Sequence, residues 1–231
     1  MKNIDRETPA IVISTLDERS RERLRRIETD LALAGFRNVE IMQARTPERD
    51  QFRERGLPEI LQGRWRTDLQ HMWGSAACGL SHLDLMKRGP SELPIIIFED
   101  DATIHPQFFS YLDRIEFPDD VAWDVCHLSY HNDNLGSAKN PAGVINQHLV
   151  RCAPDETPST YSYILNRPII DRMTPLTEDI DFQLAHETDR IDSYVIEHTP
   201  PLTMPDFNLP SVRNDLDDIY WHENNPQSRE A

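Results

Sequence analysis

The chain has 231 residues and a formal net charge of −16, from 24 Lys and Arg against 40 Asp and Glu. Nearly all of the acidic excess falls after residue 100, so no basic field exists to gather a nucleic-acid backbone or an anionic lipid surface. The length allows a substantial core, and without a linker, low-complexity tract or internal repeat the expectation is a single domain over residues 1–231.

Ala10-Ile11-Val12-Ile13-Ser14 predicts a first strand, followed by a polar loop from Thr15 to Ser20. Leu24, Ile27, Leu31 and Ala34 then recur at helical spacing, and Gly35 stands where a left-handed C-cap belongs. Val39-Glu40-Ile41 predicts a second strand, and a strand–helix–strand opening implies a parallel pair. Residues 45–72 are highly charged and show little periodicity, which suits a variable excursion. Ala76, Leu80 and Leu83 mark one face of a helix running to Met86.

Leu93 to Phe98 reads as a fully buried strand, and Glu99-Asp100-Asp101 follows at its end. Three adjacent carboxylates cannot stay ionised in a core without a partner. Hard oxygen ligands suit Mg2+ or Mn2+. Ligands of open α/β sheets also gather at the carboxyl ends of strands. Acidic residues after a strand equally serve as turn formers or helix caps, so on the triplet alone both readings stand.

Farther along, Phe108, Phe109, Leu112 and Ile115 predict a helix, Trp123 to Tyr130 a strand, and residues 131–148 a loop. Leu149 to Cys152 and Thr160 to Leu165 predict strands. Pro168 suits the first turn of a helix, and a short helix is expected over Phe182 to Thr188. Tyr194-Val195-Ile196 is a last strand before a Pro-rich tail. Regular alternation early and irregular order later predict an α/β fold, a mixed central sheet flanked by helices.

Cys78, Cys126 and Cys152 are odd in number and lack a CxxC pair, which argues against a disulfide framework or zinc knuckle and predicts reduced, buried thiols. Residues 1–9 lack an apolar signal-peptide core, and no apolar run reaches membrane-spanning length. A cytoplasmic protein without a transmembrane segment is therefore expected.

Among candidate site residues, Arg19 and Arg23 lie nearest the first loop and could reach a phosphate; most of the arginines around them suit a solvated helix face. Ser81 and His82 sit inside a helix with no local triad. Asp179 and Asp181 precede a helix and could cap it or supply a general base. His198 follows the last strand and could ligate a metal as neutral imidazole. Trp65 and Trp73 could stack on a sugar or simply pack.

The order of these segments is more specific than any one of them. Leu16-Asp17-Glu18-Arg19-Ser20-Arg21-Glu22-Arg23, Gly74-Ser75-Ala76-Ala77-Cys78-Gly79-Leu80-Ser81-His82, Ile97-Phe98-Glu99-Asp100-Asp101, and then Thr160 to Leu165, Asp181 and Pro200-Pro201-Leu202 follow one another over residues 10–212. In this order the chain resembles glycosyltransferase family 25, the lipooligosaccharide and collagen galactosyltransferase-like family. The resemblance implies a GT-A-type fold and transfer of a galactose-like sugar, with inversion, from a nucleotide-sugar donor, a UDP-sugar, to a glycan or glycolipid acceptor, as in lipopolysaccharide biosynthesis. It implies Mn2+ or Mg2+ held by Glu99 and Asp101, with His198 a further candidate ligand. Thr15, Leu16, Arg19, Arg23, Ser81, His82, Glu99 and Asp100 are then expected to border the donor, and Asp181, or Asp179 in its place, to act as base across from the metal. Ser75 and Ala77 depart from the Glu and Gly usual in the family. That departure keeps a second reading open, a non-catalytic sugar-nucleotide-binding relative with a regulatory or scaffolding role.

Overall fold

The computed structural model describes residues 4–18, 20–63, 73–117, 121–128, 143–152, 159–198 and 200–206. Strand β1, Ala10–Ser14, is buried along its whole length. Ile11 and Ile13 feed the core on one side of the sheet, and Ala10 and Val12 feed the core on the other. A strand covered on both faces has to be apolar at every position, so its sequence shows no alternation. Strand β3, Ile95–Glu99, repeats the arrangement, with Ile95 and Ile97 in one cluster and Ile96 and Phe98 in the other.

Strand β2, Val39–Gln43, pairs parallel with β1, and β3 pairs parallel with β1 on its other edge. The sheet continues through β5 (Val125–His127), β6 (Gly143–Asn146), β7 (Leu149–Arg151), β8 (Ser162–Leu165) and β9 (Ser193–Ile196). Its eight strands take the order β2-β1-β3-β8-β5-β9-β7-β6. β8 runs antiparallel to both β3 and β5, and β5 and β9 are parallel, so the sheet is mixed, as the sequence predicts.

Helices cover both faces. Helix α1, Arg21–Ala34, buries Ile27, Leu31 and Ala34 in the core that holds Ala10 and Phe98. It closes on Gly35, whose φ of 90° lets its N–H reach the carbonyls of Leu31 and Ala32. Helix α2, Phe52–Arg55, is one turn within the charged excursion. The opposite face is covered by α3, Trp73–Met86, with Ala76, Ala77, Leu80 and Leu83 in the core. Helix α4, Phe108–Leu112, returns to the α1 face, whereas α5 (Ile170–Met173) and α6 (Ile180–His186) lie on the α3 face. A Cβ on Gly79 of α3 would stand 2.5 Å from Leu176 Cδ2, so this glycine is what allows the segment before α6 to pack so closely.

Some expectations need correction. Trp123 to Tyr130 contributes only the three residues of β5 among those described. The expected loop over 131–148 contains β6, an edge strand whose Val144 is 65% exposed, so burial left no pattern to read. The helix expected over Phe182 to Thr188 begins two residues earlier, at Ile180, and ends in a 3-10 turn, Glu187–Asp189. Strands β4 (Ala102–Ile104) and β10 (Thr203–Pro205) were not expected, yet they pair antiparallel and bring the Pro-rich tail back beside the acidic triplet. Among the described residues no helix is long and apolar enough to cross a membrane.

Candidate functional site

A cleft of about 730 Å³ opens at the carboxyl ends of β1, β2 and β3. The parallel register aligns Ile13 with Glu99 and Ser14 with Gln43, so the residues that follow β1 and β3 emerge at one edge. Thr15, Leu16, Arg23, Ser81, His82, Glu99, Asp100, Asp101, Asp179 and Asp181 all line this cleft. His198 does not. It follows β9, which β8 and β5 separate from β3, and its ring packs against Tyr111 and His148 at 4.5 and 5.2 Å. Arg19 and Trp65 lie outside the described residues. Trp73 packs on Phe52, with ring centroids 6.3 Å apart.

The three carboxylates of the triplet have different environments. Asp100 is committed to the scaffold: Oδ2 accepts the Ser14 hydroxyl at 2.6 Å, and Oδ1 lies 3.2 Å from Arg23 Nε. Arg23 is buried with it, so its guanidinium serves this carboxylate and not a solvated face. Burial nevertheless dominates and pushes Asp100 up to about 6, against the pull of Arg23 and Ser14. Asp101 is raised to about 7, by burial first and then by Glu99 and Asp100 beside it. Its Oδ1 is buried and makes no hydrogen bond among the described residues. Glu99 accepts the Thr160 hydroxyl at 3.1 Å and lies 3.4 Å from His82 Nε2.

Asp181 stands beside this group and not across from it. Thr160 Oγ1 is 2.5 Å from Asp181 Oδ1, so one hydroxyl joins Asp181 to Glu99. Asp179 occupies the N-cap position of α6 but makes no side-chain capping hydrogen bond; its buried carboxylate is part of the cleft wall. Capping, the plainer sequence reading, therefore does not account for it.

Ser81 has a structural task. Its hydroxyl donates to the Ala77 carbonyl and accepts the backbone N–H of Arg45, each at 2.8 Å, which ties α3 to the loop after β2. Arg45 in turn reaches Asp84 at 2.7 Å and Asp50 at 3.0 Å. His82 is fully buried, with Nδ1 3.0 Å from the Tyr163 hydroxyl. Burial, followed by Glu99, raises Tyr163 well above its ordinary range and keeps it protonated.

Two backbone features point the same way. Leu16 and Ser159 adopt φ of 58° and 70°, unusual for residues other than glycine, and both line the cleft. Leu16 is 46% exposed there. Thr15 Oγ1, Ser75 Oγ, His82 Nε2 and Asp101 Oδ1 are buried polar atoms without a hydrogen bond among the described residues, and all four belong to cleft-lining residues. Unsatisfied buried groups are costly, and their gathering at one cleft suits a polar ligand.

Ser14, Gln43, Arg45, Thr160 and Asp206 are site residues that sequence reasoning missed. Ser14 carried a readable signal as the polar end of an apolar strand. Asp206 did not: it arrives through β10, donates its backbone N–H to the Asp101 carbonyl at 2.8 Å, and pairs with Arg26.

No family model matches the chain, and no curated protein matches it. Among solved structures it is similar to the crystal structure of a glycosyltransferase involved in the glycosylation of the major capsid of PBCV-1, at 9% identity and a TM-score of 0.36, over 92% of this chain and 99% of that one. A likeness so distant carries no argument about activity, which has to come from the site.

Proposed function

We propose that the cleft binds a nucleotide-sugar donor, a UDP-sugar, together with Mn2+ or Mg2+, and transfers a galactose-like sugar with inversion to a hydroxyl of a glycan or glycolipid. The observation that carries this reading is the set of buried polar atoms without a hydrogen bond among the described residues, Asp101 Oδ1 with them, that belong to residues lining one cleft at the strand ends. Glu99 and Asp101 offer hard oxygen ligands of the kind a divalent ion takes, on either side of an Asp100 already paired with buried Arg23.

Glu99 and Asp101 would hold the ion, while Asp100, already bound to Ser14 and Arg23, would keep the turn in place. Once bound, the ion offsets the negative charge that develops on the departing diphosphate. The exposed side chain of Leu16 gives an apolar face for the base, and Thr15 and Ser75 offer hydroxyls to the donor. Ser81 acts at one remove, by fixing the Arg45 loop. Asp181 is the group assigned to take the proton from the acceptor hydroxyl, with Thr160 setting the direction of its carboxylate. Because Asp181 adjoins Glu99, the acceptor would approach along the wall formed by the start of α6.

The assay is formation of UDP and of a new glycosidic bond, read by mass spectrometry, with a panel of UDP-sugars, oligosaccharide acceptors and Mn2+. UDP-sugar binding without any turnover would favour the second reading, a non-catalytic sugar-nucleotide-binding protein. One observation supports that alternative: Ser75 lines the cleft itself, so replacing the family's Glu removes a carboxylate from the cleft wall.

A further inference from the structure

Beside the acidic triplet lies a cluster of different chemistry. Cys78 and His82 are four residues apart on α3 and therefore share a face, and β3 brings Glu99 against them. One ligand atom from each of the three lies within 4.8 Å of the others. The His82 ring is fully buried, and its Nε2 makes no hydrogen bond among the described residues. That nitrogen is directed into the cluster, 3.4 Å from Glu99 Oε1, because Nδ1 on the far side of the ring is held 3.0 Å from the Tyr163 hydroxyl.

We infer that Cys78, His82 and Glu99 form a site for a thiophilic divalent cation, with Zn2+ as the natural occupant, separate in chemistry from the all-carboxylate set at Glu99 and Asp101. Nitrogen and oxygen ligands at about 2.0–2.1 Å from a tetrahedral Zn2+ stand roughly 3.3–3.4 Å apart, the spacing of His82 Nε2 and Glu99 Oε1. Thiolate, imidazole and carboxylate together select Zn2+ or Co2+ over Mg2+. Three protein ligands leave a fourth position, and all three residues line the cleft, so that position opens toward it. The Tyr163 contact supplies the outer hydrogen bond that metal-binding histidines ordinarily have, with Nδ1–H donating to the phenol oxygen once Nε2 is on the metal. Binding requires loss of the Cys78 thiol proton to solvent and no redox step. Glu99 is common to both sets, so occupancy of one excludes full occupancy of the other. The site does not depend on the cleft being a transferase.

The test uses Co2+ as a spectroscopic stand-in for Zn2+ on the full chain. One equivalent of Co2+ is expected to produce a near-ultraviolet thiolate-to-cobalt charge-transfer band that Zn2+ abolishes. The band should be lost in Cys78→Ser and retained in Asp101→Asn, which alters only the carboxylate set. No band in the unaltered protein, or a band undiminished in Cys78→Ser, overturns the assignment. Should Cys78→Ser fail to fold, the unaltered chain decides: Zn2+ is expected to slow alkylation of Cys78, followed by peptide mass spectrometry, and an unchanged rate overturns the site.

Discussion

The Thr160 hydroxyl lies 2.5 Å from Oδ1 of Asp181, and the same oxygen is 3.1 Å from Oε1 of Glu99. One hydroxyl proton cannot serve two carboxylates fully at once. If Glu99 holds a cation as proposed, the Thr160 proton would be left to Asp181, and metal occupancy would be coupled to the orientation of the proposed base. Thr160→Val should therefore lower turnover by roughly tenfold or more, the scale of one charged-group hydrogen bond, with little change in donor KM. Thr160→Ser should restore it. Steady-state kinetics on the pair checks this, and equal loss in both variants would assign Thr160 to packing alone.

The raised carboxyls of Asp100 and Asp101 set a pH dependence. Both are pushed above the ordinary carboxylate value, to about 6 and about 7, by burial first and by their acidic neighbours. The folded protein then holds more protons than the unfolded chain between about pH 4 and 7, so stability falls as pH rises through that window. The fall should be several kcal/mol, about 1.4 kcal/mol per pH unit for each raised carboxyl, read by urea unfolding across the window in metal-free buffer. If Glu99 and Asp101 hold Mn2+ as proposed, added Mn2+ should flatten the slope, because a cation takes the ionised carboxylates and displaces their protons.

Arg23 and Asp100 form a buried ion pair, their side chains 6% and 8% exposed. Arg23→Met removes the cation and leaves Asp100 among acidic neighbours. At pH 8 the cost should be about 3–5 kcal/mol, the range for breaking such a pair. At pH 5 it should shrink, because Asp100 can then take up a proton. Denaturant midpoints at the two values decide it, and a cost independent of pH would mean the loss lies in packing.

Ser81→Ala removes the link between α3 and the loop at Arg45. The Arg45 N–H loses its acceptor, which should cost about 1–2 kcal/mol. Donor KM should rise more than kcat falls, since the hydroxyl is taken up by Ala77 and Arg45 and acts by holding the loop. A selective fall in kcat would instead place the hydroxyl at the reacting atoms.

The parts of this site that could be read from sequence are those attached to strand ends. β1 and β3 are apolar throughout, so their ends, and with them Thr15, Leu16 and Glu99 to Asp101, follow from where the apolar runs stop. Asp181 was located by motif order, but its contact with Thr160 depends on where α6 meets β8, which no local pattern records. Ser14 and Arg23 converge on Asp100 only through sheet register and the packing of α1. β4 and β10 are three residues each, too short for a period, and their pairing spans about a hundred residues of chain. His198 also ends a strand, but strand order, hidden in the sequence, puts it in the other half of the sheet.

Asp101 is the residue on which the account turns, because it is the member of the triplet with a buried oxygen that makes no hydrogen bond among the described residues. Thermal melting of the protein and of Asp101→Asn, with a panel of UDP-sugars in the presence and absence of Mn2+, tests it most directly. A ligand that binds only the folded state raises its melting temperature. The account predicts a rise with at least one UDP-sugar that requires Mn2+ and disappears in Asp101→Asn, while the metal-free variant melts no lower than the unaltered protein. A UDP-sugar shift of equal size in Asp101→Asn, or no shift with any UDP-sugar in the unaltered protein, would contradict it.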